Sequence, residues 1–188
     1  MISPTVLNAV AMTMTTTEQF PQADPIWRNN GAKPKQPALA MSTAEVVARY
    51  CDDNKDAIRL CMAWLAHAHL FDDIVDGDKP VTDEQIAYTE MSWFRECQFN
   101  PFWIQHRLRL IPFVDNAYNA WLDANHWERE GDHEQRRDAD VIKSFYHEFV
   151  VQCALIIGGW DHMRACSREL RQYNHDFQDY QPHRNQPE

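Results

Sequence analysis

Residues 72–76 read Asp-Asp-Ile-Val-Asp, with Asp78 close behind, at the end of an apolar run, AIRLCMAWLAHAHLF, over residues 57–71. Carboxylates gathered this tightly can hold a hard divalent cation, which takes oxygen ligands and shares them with phosphate. The run predicts a helix. At 100° per residue Ile58, Cys61, Leu65 and Ala68 fall on a line that Asp72 and Asp76 continue, so the acids point where the core points. A helix C-terminus carries partial negative charge, and each carboxylate there costs roughly 0.3–1 kcal/mol even when exposed, more when buried. A compensating positive charge is expected, and Mg²⁺ is the simplest candidate. The bland reading of the same residues, followed by Gly77 and Pro80, is an ordinary solvated helix end and turn.

A second set of oxygens comes from Asp140, Ser144 and Glu148, spaced four apart beside the apolar stripe Val141, Phe145 and Phe149. On one helix they make a ridge, each 40° from the last. The elements that must position the two ridges are helices at 57–76 and from 138 to about 177, the second bent at Gly158-Gly159. Both ridges can share a cation cluster only where the end of the first helix meets the start of the second.

The other elements follow from local signals. Ser42-Thr-Ala-Glu45 and Thr82-Asp-Glu-Gln85 have the form of capping boxes, opening helices to about residues 50 and 98. Asp52, Asp53 and Asp56 suit the start of the next helix, where anions meet the positive dipole end. Asn100-Pro101 is a cap followed by a proline at the first helical position, and Pro112 should kink or break the helix after it. The charged stretch 128–138 reads as a solvated connection. The reading is a single-domain, all-α, antiparallel helix bundle at 41–180, between mobile tails at 1–40 and 181–188. In the first tail only Ile26-Trp27 is suited to docking.

Composition bounds the function. A chain of 188 residues with 44% apolar and 12% aromatic content can bury one substantial core. A formal net charge of −10 leaves no basic stripe for nucleic acid, so an anionic ligand needs metal ions or a local arginine cluster. Arg95, Arg107 and Arg109 are the candidates for the latter. The five cysteines, Cys51, Cys61, Cys97, Cys153 and Cys166, are scattered without zinc spacing and read as reduced core residues. No apolar run reaches the ~18 residues needed to span a bilayer, and a cytoplasmic protein is expected.

Asp72-Asp73-Ile74-Val75-Asp76 resembles the DDxxD motif of class I isoprenoid (terpene) synthases, and Asp140-x-x-x-Ser144-x-x-x-Glu148 resembles the second acidic motif of that family. The motifs stand closer together here than in the family. The resemblance implies an all-α synthase-like bundle in which Asp72, Asp73, Asp76, Asp140, Ser144 and Glu148 hold Mg²⁺. The metal would grip and help to ionise, or condense, an isoprenoid diphosphate, with Asp72, Asp73 and Asp76 as the catalytic set. It further implies an arginine clamp on the diphosphate and aromatic residues such as Trp64, Phe71, Phe145 and Trp160 shielding a carbocation. A small-molecule diphosphate is then the partner, and a homodimer is compatible with the reading.

Three alternatives stay open. Residues 149–159 also faintly resemble the squalene/phytoene synthase branch. Asp53-x-x-Asp56 and Asp73-x-x-Asp76 resemble the paired motifs of all-α nucleoside triphosphate pyrophosphohydrolases, and a non-catalytic helical interaction protein fits the composition equally. His69, one turn before Asp73, reads as a core histidine or as one orienting an aspartate. His147 reads as structural, and Glu130-x-x-His133 has the spacing of di-iron helices.

Overall fold

Among the described residues six α-helices follow one another: α1 (Thr43–Tyr50), α2 (Lys55–Asp76), α3 (Asp83–Phe99), α4 (Pro101–Glu130), α5 (His133–Lys143) and α6 (Glu148–Asp176). The computed structural model describes residues 42–77 and 79–176, and side chains among these up to residue 171. The tails expected at 1–40 and 181–188, with Ile26-Trp27, lie outside those residues. Among the described residues there is no strand, and the architecture is an all-α bundle.

The caps act as their residue types dictate. Ser42 accepts from the Glu45 N–H while Glu45 reaches back, and Thr82 with Gln85 does the same at α3. Asn100 caps α4 with Pro101 behind it, and its amide also donates to the Asp56 carbonyl at 2.8 Å, tying α4 to the start of α2. At α2 Asp56 stands in the first turn as expected, but Asp52 and Asp53 do not. Asn54 is the cap, while Asp52 and Asp53 form a tight turn at φ 46° and 56°, in the left-handed region that short polar side chains tolerate.

Three further differences shape the site. Pro112 lies inside α4, which continues from Pro101 to Glu130. The charged stretch after it is no loop: α4 runs to Glu130 and α5 starts at His133, capped by Asp132 and Gln135. Nor is the segment from 138 one helix. α5 ends at Lys143, residues Ser144–His147 form a 3₁₀ turn, and α6 begins at Glu148, kinking at Gly159 (φ 74°).

The core gathers Tyr50 from α1, Leu60, Cys61 and Trp64 from α2, Leu110 from α4 and Phe149, Val150 and Cys153 from α6. Trp64 is its hub. Its ring lies 5.4 Å from those of Trp93 and Phe149 and 6.0 Å from Tyr118, and its indole N–H donates to the Tyr146 carbonyl at 2.8 Å. One stretch, His133–Arg171, holds an 18-residue window apolar enough to cross a membrane by length and composition. A third of that window is buried, with Phe149, Val150, Val151, Cys153 and Ala154 in the bundle core.

Candidate functional site

The last turn of α2 sends its acids in different directions, as 100° per residue requires. Asp72 faces α4, where its Oδ1 accepts from the Trp121 indole N–H at 3.0 Å. Asp76, one turn on, accepts from the Lys143 ammonium at 2.9 Å. Asp73 turns away toward Lys79, 3.9 Å distant. Lys143 also lies 3.4 Å from Asp72 and 2.8 Å from Glu128 of α4. Burial alone would lower the Lys143 pKa. The hydrogen bonds to Glu128 and Asp76 and the charge of Asp72 outweigh it and hold the ammonium well above its ordinary range. The positive charge that the sequence called for beside Asp72 and Asp76 is therefore present as a lysine.

The end of α2 does meet the segment from 138 onward, but through Lys143 and not through the expected ridge. Asp140 is half-buried on α5. The Ser144 hydroxyl donates to the Val141 carbonyl at 2.7 Å, and Glu148 accepts from Arg171 at 2.6 Å. Magnesium fits this donor set poorly, since the oxygens nearest one another already serve an ammonium, a backbone carbonyl and a guanidinium. Among the described residues no three His, Cys, Asp or Glu side chains are disposed around one metal position. Arg95, Arg107 and Arg109 are all exposed, and none of them lines the pocket described below. Asp56 and Asp73 stand near opposite ends of α2, about 25 Å apart at 1.5 Å per residue, so a single nucleotide cannot bridge them as paired motifs. Glu130 approaches His126 of its own helix at 3.8 Å, across the α4–α5 junction from His133.

Asp72 and Lys143 form the polar edge of an aromatic pocket between α2, α4 and the 3₁₀ turn. Trp64, Phe71, Tyr118, Trp121 and Tyr146 wall it, with a volume of about 70 Å³. Of the four aromatics singled out in the sequence, Trp64 and Phe71 line it, while Trp160 is 62% exposed and Phe145 40% exposed. His69 and Tyr146, ring nitrogen to hydroxyl at 3.0 Å, close one side. His69 also stands in the wall of a second, more open cleft of about 310 Å³ with Asp73, Lys79 and Gln85. His147 lines neither. Burial holds its pKa down at about 3, so its neutral imidazole donates from Nδ1 to the Ser144 carbonyl at 3.1 Å.

No family model matches the chain, and neither a curated protein nor a solved structure is similar to it. The site's own chemistry carries the reading. Sequence reasoning missed Lys143, Tyr118, Trp121 and Tyr146. The available signal was that Lys143 and Tyr146, and Tyr118 and Trp121, are pairs three apart and so share a helix face.

Proposed function

We propose that the aromatic pocket binds a small molecule carrying a positive charge, such as a methylated ammonium group. The observation that carries this is the charge balance at the pocket's edge. Three carboxylates, Asp72, Asp76 and Glu128, surround one ammonium, leaving negative charge in surplus beside a wall of indole and phenol faces. Ring faces attract cations by their quadrupole, by ~0.5–1 kcal/mol when exposed and ~2 kcal/mol or more when desolvated, and a carboxylate adds to that attraction. A bare phosphate would meet the same edge as repulsion. The pocket is small, about 70 Å³, and partly open to solvent, so it suits a compact head group that projects into water and not a large enclosed ligand.

Thermal unfolding with tetramethylammonium against tert-butanol, a neutral molecule of nearly the same size and shape, tests the reading. At ten times Kd the cation should add ~1.4 kcal/mol, raising Tm by about 3–6 °C, and the neutral probe should not. Trp121→Ala and Asp72→Asn should each abolish the shift. Equal effects of charged and neutral probes, or none from either, would sink it and favour a non-catalytic helical interaction protein.

One observation favours a second reading. Asp72, the first residue of the DDIVD run, lies in the wall of the aromatic pocket, as a site for an isoprenoid diphosphate with Mg²⁺ would require. Stabilisation by Mg²⁺ together with an isoprenoid diphosphate, and not by the ammonium probe, would put that reading first.

A further inference from the structure

Behind Tyr118 stands a set of buried groups that ligand binding alone does not use. His67, 3% exposed in the middle of α2, is hydrogen-bonded through Nε2 to the Tyr118 hydroxyl of α4. Its Nδ1 lies 2.8 Å from Glu90 Oε1 on α3. Those two atoms are both buried, and among the described residues neither has a well-aligned hydrogen bond, so each has the other as its charged or polar neighbour. The rest of Glu90 reaches water, its side chain being 41% exposed. The Phe71 and Trp93 rings, with centroids 4.8 and 5.7 Å away, flank the imidazole. One tautomer serves every group. With the proton on Nδ1, toward the carboxylate, Nε2 is left as an acceptor and Tyr118 donates to it.

We propose that Glu90, His67 and Tyr118 form a carboxylate–imidazole–phenol chain that makes Tyr118 a base-activated residue in the wall of the aromatic pocket. The inference rests on the proposed function only in that the pocket must admit a small molecule. Burial lowers the His67 pKa, so the resting imidazole is neutral with its Nε2 lone pair toward the Tyr118 hydroxyl, and the Glu90 carboxylate works against the loss of basicity. Burial, with the Glu90 charge, pushes Tyr118 up to about 12, so the phenol keeps its proton until the step itself. In that step the Tyr118 oxygen takes a proton from the ligand, or bonds to an electrophilic centre whose leaving group departs with the pair of the bond that breaks, as its own proton passes to His67 Nε2. The resulting imidazolium is paired with the Glu90 carboxylate, and no electrons change hands beyond the bonds named. Glu90 and His67 act through Tyr118 and are positioning residues.

Methanesulfonyl fluoride is small enough to probe this in the full chain. The Tyr118 oxygen would bond to sulfur, fluoride would leave, and the phenol proton would go to His67. Mass spectrometry should find Tyr118 sulfonylated faster than Tyr88, which is 79% exposed and serves as the internal reference. Glu90→Gln should slow Tyr118 by roughly tenfold or more while Tyr88 is unchanged, and His67→Gln should act alike. Glu90 is partly exposed, so its variant keeps the test alive if the His67 variant fails to fold. Modification of Tyr118 no faster than Tyr88, or indifferent to Glu90→Gln, overturns the proposal. Fast modification of Tyr118 that tetramethylammonium does not protect supports the chain while counting against the proposed ligand.

Discussion

The Lys143 ammonium of α5 stands 2.9 Å from the Asp76 carboxylate that ends α2, so one ion pair ties the two acidic segments of the chain together. Glu128 holds the same ammonium at 2.8 Å from α4, and the lysine side chain is 16% exposed. Three helices therefore converge on one charge.

The first prediction is an asymmetry between the partners. Lys143→Met leaves Asp72, Asp76 and Glu128 facing one another with no counter-charge, which should cost about 1–3 kcal/mol. That is less than the 3–5 kcal/mol of a fully buried pair because the carboxylates are partly solvated. Asp72→Asn keeps an oxygen to accept from Trp121 and relieves the acid surplus, so it should change stability by under about 1 kcal/mol. Urea unfolding of both variants checks the order. A larger loss from Asp72→Asn would show Asp72 to be the residue on which the cluster depends.

Gly158 carries the second. A Cβ there would sit 2.5 Å from the His162 ring, whose Nε2 donates to the Tyr50 carbonyl at 2.8 Å and so ties α6 to α1. Gly158→Ala should displace His162 and destabilise by about 1–3 kcal/mol. Next to it, Gly159 has open space but sits at φ 74° and ψ −168°, a conformation essentially confined to glycine, so Gly159→Ala pays backbone strain of ~1–3 kcal/mol and no clash. A neutral Gly158→Ala in calorimetry would mean that the His162 contact is dispensable.

What the sequence made legible was local. Capping at Ser42, Thr82 and Asn100 depends on side chains three residues away, and α2 on an apolar period within one segment. The failed ridge shows the limit. Asp140, Ser144 and Glu148 share a face only on an unbroken α-helix. The Ser144 hydroxyl instead bonds back to the Val141 carbonyl where the chain tightens into a 3₁₀ turn, a competition that serines invite. The compensating charge was foreseen, but not that a lysine 67 positions from Asp76 supplies it, because nothing in local spacing brings those residues together. Pocket partners such as Trp64 and Tyr146, 82 positions apart, were hidden for the same reason.

The third prediction concerns acid. His147 has a folded pKa near 3 against ~6.5 when unfolded, chiefly because burial disfavours its charge. Between those values the unfolded chain binds the extra proton. Its contribution is fully present above pH 6.5 and is lost as pH falls through the window, by at most ~1.4 kcal/mol per unit. His67, lowered mainly by burial, acts in the same direction. His147→Gln should flatten the fall in stability between pH 6.5 and 4, measured by urea midpoints at each pH. Parallel pH curves for the two proteins would show that His147 does not carry the effect.

Thiol reactivity supplies the last prediction. Cys51, Cys61, Cys153 and Cys166 are buried, with Cys51 and Cys61 sulfurs 3.9 Å apart, while Cys97 on α3 is half-exposed. Thiolate is the reactive form, and reactivity also needs access. The hydrogen bond that Cys51 donates to Cys61, with burial, holds the Cys51 thiol far above its ordinary range. Burial and the Glu96 charge push Cys97 only to about 11. An aromatic disulfide reagent added to the native protein should therefore modify Cys97 first, and slowly. The four buried thiols should follow only at the rate of global unfolding, with Cys97→Ser removing the early phase alone. Early modification of Cys51 or Cys61 would require α1 to open from α2 well below the cost of unfolding the bundle, a local opening the packing of Val46, Val47 and Tyr50 against α2 and α6 argues against.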